Sequence, residues 1–591
     1  MSTFQKLKEF LKREKQEIFN NNAEIIYEMI DDEFLLFESE LPEIEKLKES
    51  GHTHFRVKEV QEKILKLIDE NESVLFKLDD QGRTIGIRAA ELGLDDIVLR
   101  VLDNEKASLI LDSEGRNLAM ISAENGREVP CLKALDNHEL SMQVDEDGFN
   151  LGMYCANHKL ETATLKALDN FEASTYQNNK CDVLFGLNFV HYLKSFNLGM
   201  LATVRGLEKA TLKALDNPVA STQADNAGNN IGMLSARMCF SEATLKAMEN
   251  REAFFMKNLW NQDMAYYAAL SELQECVVKA YEYEEMIDVR YENNSYTLGM
   301  MAALLELDYA VDKILDIPGV ATQTDIDGNN IGMLAAEYDL EDCAIKALEN
   351  PEASLQQNKN GNNIGMCLAK NNMAKGTMIA LENPEASIQQ NKNGMNIGMV
   401  AARNGLEDCV IKALERPVAN IQKNISGDTI AMLAARNNMH RAVMSVLYQP
   451  EICNQLNKEN ENLTYVAAQN NMREFVQGSL DLNYPIVQTN KASHLGFVCL
   501  DKGWTEESVK VAQNKSVLRL QNSQGKNMGM VAVEKGCDEV VRIAIADYET
   551  RNQRNVCKNT MIDEMIYGNY PNSETMELVE KYLLDEDDMV M

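Results

Sequence analysis

The sequence predicts an all-α fold, a curved solenoid of about fifteen stacked helix–turn–helix repeats, and three observations predict it. The first is a period. Gly328-Asn-Asn-Ile-Gly-Met-Leu-Ala-Ala336 returns as Gly361-Asn-Asn-Ile-Gly-Met-Cys-Leu-Ala369, as Gly394-Met-Asn-Ile-Gly-Met-Val-Ala-Ala402 and as Gly427-Asp-Thr-Ile-Ala-Met-Leu-Ala-Ala435, each 33 residues after the last. The second is its extent. Unit starts fall at 82, 115, 148, 195, 228, 261, 295, 328, 361, 394, 427, 460, 492, 525 and 558, and eleven of the fourteen intervals are 33, the others being 47, 34 and 32. The third is composition: 591 residues, 45% hydrophobic and 25% charged with only 10 Pro, suit a folded helical chain rather than a disordered one. One such unit cannot bury its apolar face alone, and stacking neighbours makes a continuous core.

Within a unit the elements follow in order. The third position is Asn, Thr or Asp in fourteen of fifteen units (Thr84, Asn117, Asn150, Asn197, Asn230, Asp263 and onward). Such side chains accept hydrogen bonds from the free amides of a helix start, so this position is read as an N-cap. A small apolar helix follows and ends near Ala-Ala. The twelfth position is then often Gly or Asn, as at Gly93, Gly126, Gly206, Asn372, Gly405 and Asn438, the types suited to a left-handed residue closing a helix. A second helix comes next, as in Ile345-Lys-Ala-Leu-Glu-Asn350, and then a polar connector such as Pro351-Glu-Ala-Ser-Leu-Gln-Gln-Asn-Lys-Asn360.

This layout resembles the ankyrin repeat. The family pattern G-x-T-P-L-H-x-A-A-x-x-G-H aligns with Gly394-Met395-Asn396-Ile397-Gly398-Met399-Val400-Ala401-Ala402-Arg403-Asn404-Gly405-Leu406. Asn mostly stands for Thr, Ile or Leu for Pro, Gly for Leu and Met for His, and no unit carries the T-P-L-H tetrapeptide. Asn-Pro-Glu-Ala or a similar run replaces the Gly-Ala that follows the second helix. The resemblance covers residues 82–590 and implies short hairpin fingers and a concave groove that binds partners. Another 33-residue α-hairpin solenoid is the competing reading.

Residues 1–81 fit the register poorly. Phe4 to Phe19 and Asn22 to Phe37 have helical apolar spacing, and Gly51-His-Thr-His opens a degenerate unit. They are expected to form a helical N-terminal cap, because a terminal repeat must differ to cover the core. Residues 82–591 are then the array. The acidic Leu584-Asp-Glu-Asp-Asp588 reads as a solvated end.

Charge excludes whole classes. With 58 Lys+Arg against 92 Asp+Glu, the formal net charge is −34. That field repels nucleic-acid phosphates and anionic membrane surfaces. The N-terminal residues are charged from the start, and no run of 18 apolar residues occurs anywhere, so the chain is expected to be cytoplasmic and monomeric. The 12 Cys are scattered without a C-x-x-C pair, and most take positions of small helix residues. They read as reduced packing thiols.

Chemistry finds no foothold. No G-x-x-x-x-G-K-[ST], H-E-x-x-H, G-x-S-x-G or G-x-G-x-x-G occurs, and the seven His form no triad-like group. Asp325-Ile-Asp-Gly328 and Asp145-Glu-Asp-Gly148 resemble fragments of a calcium loop but lack its twelfth-position Glu. Met at the sixth position of ten units, Met120 to Met530, would stack into a ladder, and it reads as core filler rather than a soft-metal site. The Gly or Ala before it implies close backbone approach. No cofactor and no metal are expected.

Two features rise above the repeat. The 47-residue unit carries an apolar insertion near 181–194 with Phe185, Leu187, Phe189 and Tyr192. It either contacts a partner or packs back on the array. The tenth and eleventh positions, which the ankyrin resemblance places at the groove, hold Lys370, Arg403 and Arg436 in later units, with Leu304, Leu305 and Tyr338 as apolar anchors midway. The expected function is a non-enzymatic protein–protein interaction scaffold. A secreted effector or inhibitor that blocks a host protein shares every one of these features. An enzyme built on residues 1–81 has no nucleophile–base grouping to support it.

Overall fold

The computed structural model describes residues 83–178, 195–291 and 295–568, with isolated positions between 62 and 78 and residues 576–577. It is all-α apart from a few short bridges, and paired short helices repeat about every 33 residues. The chain divides into two compact units, one running to Ile314 and one beginning at Leu315. The expected cap over 1–81 lies almost wholly outside the described residues.

Each repeat begins with a first helix of seven or eight residues, such as Ile331–Glu337, Ile364–Lys370 and Ile397–Arg403 in the second unit. Its start is fixed at the third position. Asn330, Asn363 and Asn396 each accept the amide of the residue three further on. Asn117, Asn197 and Asp263 do the same in the first unit. The one unit that departs from the Asn/Thr/Asp pattern conforms in structure: His494 Nδ1 accepts the Gly496 amide at 3.1 Å.

The twelfth position ends the helix in left-handed backbone, at Gly93, Gly126, Gly206, Asn372 and Gly405 as read from sequence. Lys159 (φ 59°) and Cys239 (φ 60°) adopt the same conformation although their side chains disfavour it, and so does Asp339 (φ 65°), of a type that tolerates it. Packing of the next helix overrides local preference there.

The second helix, such as Glu341–Leu348 or Glu407–Leu414, packs on the first. The close approach inferred from the fifth position is present. A Cβ placed on Gly398 would lie 2.5 Å from the Ala413 Cβ and 2.8 Å from Ile430 Cδ1 of the next repeat. Sixth-position Met120, Met153, Met333 and Met399 are buried, as expected of core filler. So are Cys276, Cys343 and Cys409, while Cys239 and Cys557 are exposed.

The connector differs from expectation, because it is not simply a polar loop. It opens with a third, one-turn helix, as in His138–Met142, Phe171–Thr175, Pro351–Leu355 and Pro384–Ile388. Asn137, Asn170, Asn350 and Asn383 cap these turns, and Pro351 and Pro384 sit at the first helical position where the missing amide costs nothing. The expected hairpin fingers shrink to tight turns. Among the described residues some are closed by one isolated bridge, such as Val144 with Asn150 or Thr324 with Asn330, and one has a two-residue ladder, Arg290–Tyr291 against Tyr296–Thr297. In the turn that resembled a calcium loop, Asp325 Oδ1 accepts the amides of Asp327 and Asn329 at 2.8 Å each, so the carboxylate holds the turn itself.

Candidate functional site

The tenth and eleventh positions sit at the C-terminal end of each first helix. In the second unit this brings Tyr338, Lys370, Arg403 and Arg436 onto consecutive first helices or their ends. They are not equivalent. Arg403 is exposed, and among the described residues no ion pair or side-chain hydrogen bond engages it. Lys370 is exposed and lies 3.8 Å from Glu337 Oε1 of the preceding repeat.

Arg436 is a different case. Its Nη2 meets Glu461 Oε2 at 2.7 Å and Asp428 Oδ1 at 3.3 Å, carboxylates that are themselves nearly enclosed. Its guanidinium pKa is raised; burial opposes the charge, but these two partners outweigh it. As a free groove cation it is corrected to a residue that ties one turn to the next. Tyr338 is buried to 8% exposure.

Leu304 and Leu305 belong to the first unit. Leu304 is fully enclosed, as is Leu270 at the same position one repeat earlier. An apolar side chain at this helix end turns into the core, so Leu304 is withdrawn as a surface anchor. Leu305 is half-buried. The insertion residues Phe185, Leu187, Phe189 and Tyr192 lie outside the described residues.

Sequence reading passed over a polar cluster at these positions in the first unit. His158 stacks on Tyr154 with ring centroids 6.3 Å apart, and the Tyr154 hydroxyl donates to Asp145 Oδ2 at 2.7 Å. Burial first, and then the Arg205 charge, lowers the His158 pKa to about 4. Burial alone lowers the Arg205 pKa to about 10. This imidazole is neutral near pH 7 and braces the helix end.

The first unit also holds an open cleft of about 550 Å³ lined by Arg251, Glu252, Phe255 and Met256. Arg251 is occupied there: it pairs with Glu285 and lies 5.4 Å from the Phe255 ring centre and 5.9 Å from that of Tyr283. Among the described residues no three His, Cys, Asp or Glu side chains are grouped to hold a metal ion. No described helix is long and apolar enough to cross a membrane. No family model matches the chain, and no curated protein matches it.

The polar side chains inside the array serve the array. Asn363 uses Oδ1 to cap its helix, while its Nδ2 donates to the Ala386 carbonyl at 3.0 Å and to Gln389 Oε1 at 2.8 Å. Gln389 Nε2 then reaches the Leu355 carbonyl of the preceding repeat at 2.8 Å. The same chain runs through Asn396 and Gln422 to Ile388. In the first unit it runs through Asn197 and Gln223 to Thr175. The twenty-ninth-position Gln was the missed signal, since it recurs with the 33-residue period but lies outside the helices that carry the apolar pattern.

Proposed function

We propose that this protein is a non-enzymatic interaction scaffold, a divergent ankyrin-like array that binds another protein along the ends of its first helices. The observation that carries this reading is a division of labour among polar positions. The third, twenty-ninth and thirty-first positions are spent on caps, seams and turns in repeat after repeat, whereas the tenth changes from Glu124 and Asn157 to Lys370 and Arg403. Residues consumed by the framework cannot also vary to suit a partner; those at the tenth position can. A few exposed charged or aromatic side chains on a rigid framework are enough to set specificity.

The test is a selection of displayed peptides on the full chain, run beside the Lys370→Glu/Arg403→Glu double variant. Peptides enriched by the parent and lost by the variant, with melting unchanged, support the reading. Equal enrichment by both proteins contradicts the placement at this face, and no enrichment at all contradicts the scaffold.

A further inference from the structure

We propose that the turn tips of the second unit form a docking edge for an extended acidic polypeptide with an apolar residue at its centre. The inference rests on the scaffold reading but uses a different surface from the first-helix ends. Five consecutive turns present Lys359, Lys392, Ile425, Lys458 and Lys491 at the same place in the repeat, the thirty-second position, and all five are exposed.

The turns are held in a ladder by backbone bonds. The Lys392 amide donates to the Asn360 carbonyl at 3.0 Å, the Ile425 amide to Asn393 at 3.0 Å, and the Lys458 amide to Ser426 at 3.0 Å. The row is therefore built on fixed backbone rather than on loose loops. Beneath it, Asn391 Nδ2 donates to Asn362 Oδ1 at 2.9 Å, and Asn457 Nδ2 to Asp428 Oδ1 at 2.9 Å, which fixes each turn to its neighbour.

The ammonium groups are little used within the chain. Lys359 lies 3.9 Å from Asp327 Oδ1. No carboxylate pairs with Lys392, Lys458 or Lys491 among the described residues. Lys423, two residues before Ile425, adds a further cation beside the row, its Nζ donating to the Leu456 carbonyl at 2.9 Å. One carboxylate interrupts the row, the exposed Glu459 next to Lys458. Two corresponding tips of the first unit carry the opposite sign, with exposed Glu114, Glu146 and Asp147, and two others carry the uncharged Asn226 and Leu259. The lysine row is thus confined to the second unit, on a chain whose net charge is −34.

That net charge does not cancel the row. At physiological salt the Debye length is about 8 Å, so an approaching anion responds to the lysines near it and little to acids on remote faces. Between the two Lys pairs stands Ile425, 59% exposed, which offers one apolar contact. Packed helices lie about 8–10 Å apart, so successive tips are about three residues of extended chain apart. The matching ligand is an extended peptide with acidic residues three apart and an apolar residue at its midpoint.

The experiment uses the full chain and a labelled peptide, Glu-Ser-Ser-Glu-Ser-Ser-Leu-Ser-Ser-Glu-Ser-Ser-Glu, followed by fluorescence anisotropy. Saturable binding that weakens as salt rises is expected. Lys392→Glu/Lys458→Glu should weaken it about tenfold or more, the scale of reversing charged contacts. Ile425→Ser should weaken it less, and neither change should move the melting temperature, because all three side chains are exposed. Absence of saturable binding overturns the edge, as does binding that the tip variants leave intact. Oligothymidylate binding as tightly and losing the same affinity in the variants overturns the polypeptide assignment in favour of a general polyanion site. If only Lys370→Glu/Arg403→Glu removes the peptide, the edge fails while the scaffold reading stands.

Discussion

The Asn330 side-chain amide donates to Gln356 Oε1 at 2.9 Å, and Gln356 Nε2 in turn donates to the Thr322 carbonyl at 2.7 Å. Two side chains thus join a helix cap to the backbone of the preceding repeat. The link is buried at its Asn end, where Asn330 is fully enclosed. A buried amide is tolerated when all its hydrogen-bonding groups are matched, and then it specifies one register of stacking.

Removing such an amide should cost more than a surface cap. Asn363→Ala loses the cap, worth about 1 kcal/mol, and strips the donor from Ala386 O and Gln389 Oε1, about 1–3 kcal/mol more. Gln389→Met keeps the cap and loses only the seam, so its cost should be about half as large. Urea denaturation followed by circular dichroism separates the two. A Gln389→Met midpoint equal to that of the parent would deny the seam a separate role.

Replacing unsuited residues at the helix stop should stabilise. Lys159→Gly and Cys239→Gly each relieve a left-handed side chain, which costs about 1–2 kcal/mol, offset in part by the added freedom of the unfolded chain. Each is expected to raise the denaturation midpoint. A drop for both would show that their side chains supply contacts that outweigh the backbone cost.

Gly398→Ala sets two effects against each other. Helix propensity favours Ala by up to about 1 kcal/mol. Against it, the new methyl would sit 2.5 Å from the Ala413 Cβ, an atom with no rotatable side chain to swing aside. Overpacking of this kind costs about 1–3 kcal/mol, so the variant should be destabilised. A melting temperature at or above that of the parent contradicts the close approach.

His494 should make stability depend on acid. It is fully enclosed, and burial holds its pKa at about 4, against 6.5 for the free side chain. Below pH 6.5 the unfolded chain takes up a proton that the folded chain refuses. Stability contributed by the neutral imidazole is therefore intact above pH 6.5 and falls progressively towards pH 4, by about 2–3 kcal/mol in all. His494→Asn keeps a cap of the type used in neighbouring repeats and should flatten this part of the pH profile. An unchanged slope would place the proton uptake elsewhere.

The repeat was legible because its signals are local. Asn363 and Asn396 announce helix starts by type, and Gly405 and Asn372 announce stops. The one-turn third helix was harder to read, since a span such as Pro384–Ile388 is too short to show apolar periodicity. Asn383 before Pro384, with Glu385 next, was nevertheless a helix-start signature. Lys159 and Cys239 were unreadable as stops because packing, not residue preference, fixes their backbone. At the binding face, exposure was the hidden variable. Leu304 and Arg436 carry attractive side chains in sequence, yet one folds inward and the other is claimed by Asp428 and Glu461. The lysine row at the tips was written in the sequence at a 33-residue spacing, with one Ile between two pairs, and went unread because it lies on connectors.

The most direct test of the account is hydrogen exchange, read by mass spectrometry on the full chain with and without a peptide selected against it. Exchange is expected to slow in segments 364–373 and 397–406, which hold the ends of the first helices with Lys370 and Arg403, and to change little in the second helix Glu407–Leu414. Protection confined to that second helix, with none at the first-helix ends, would contradict the assignment of recognition to this face.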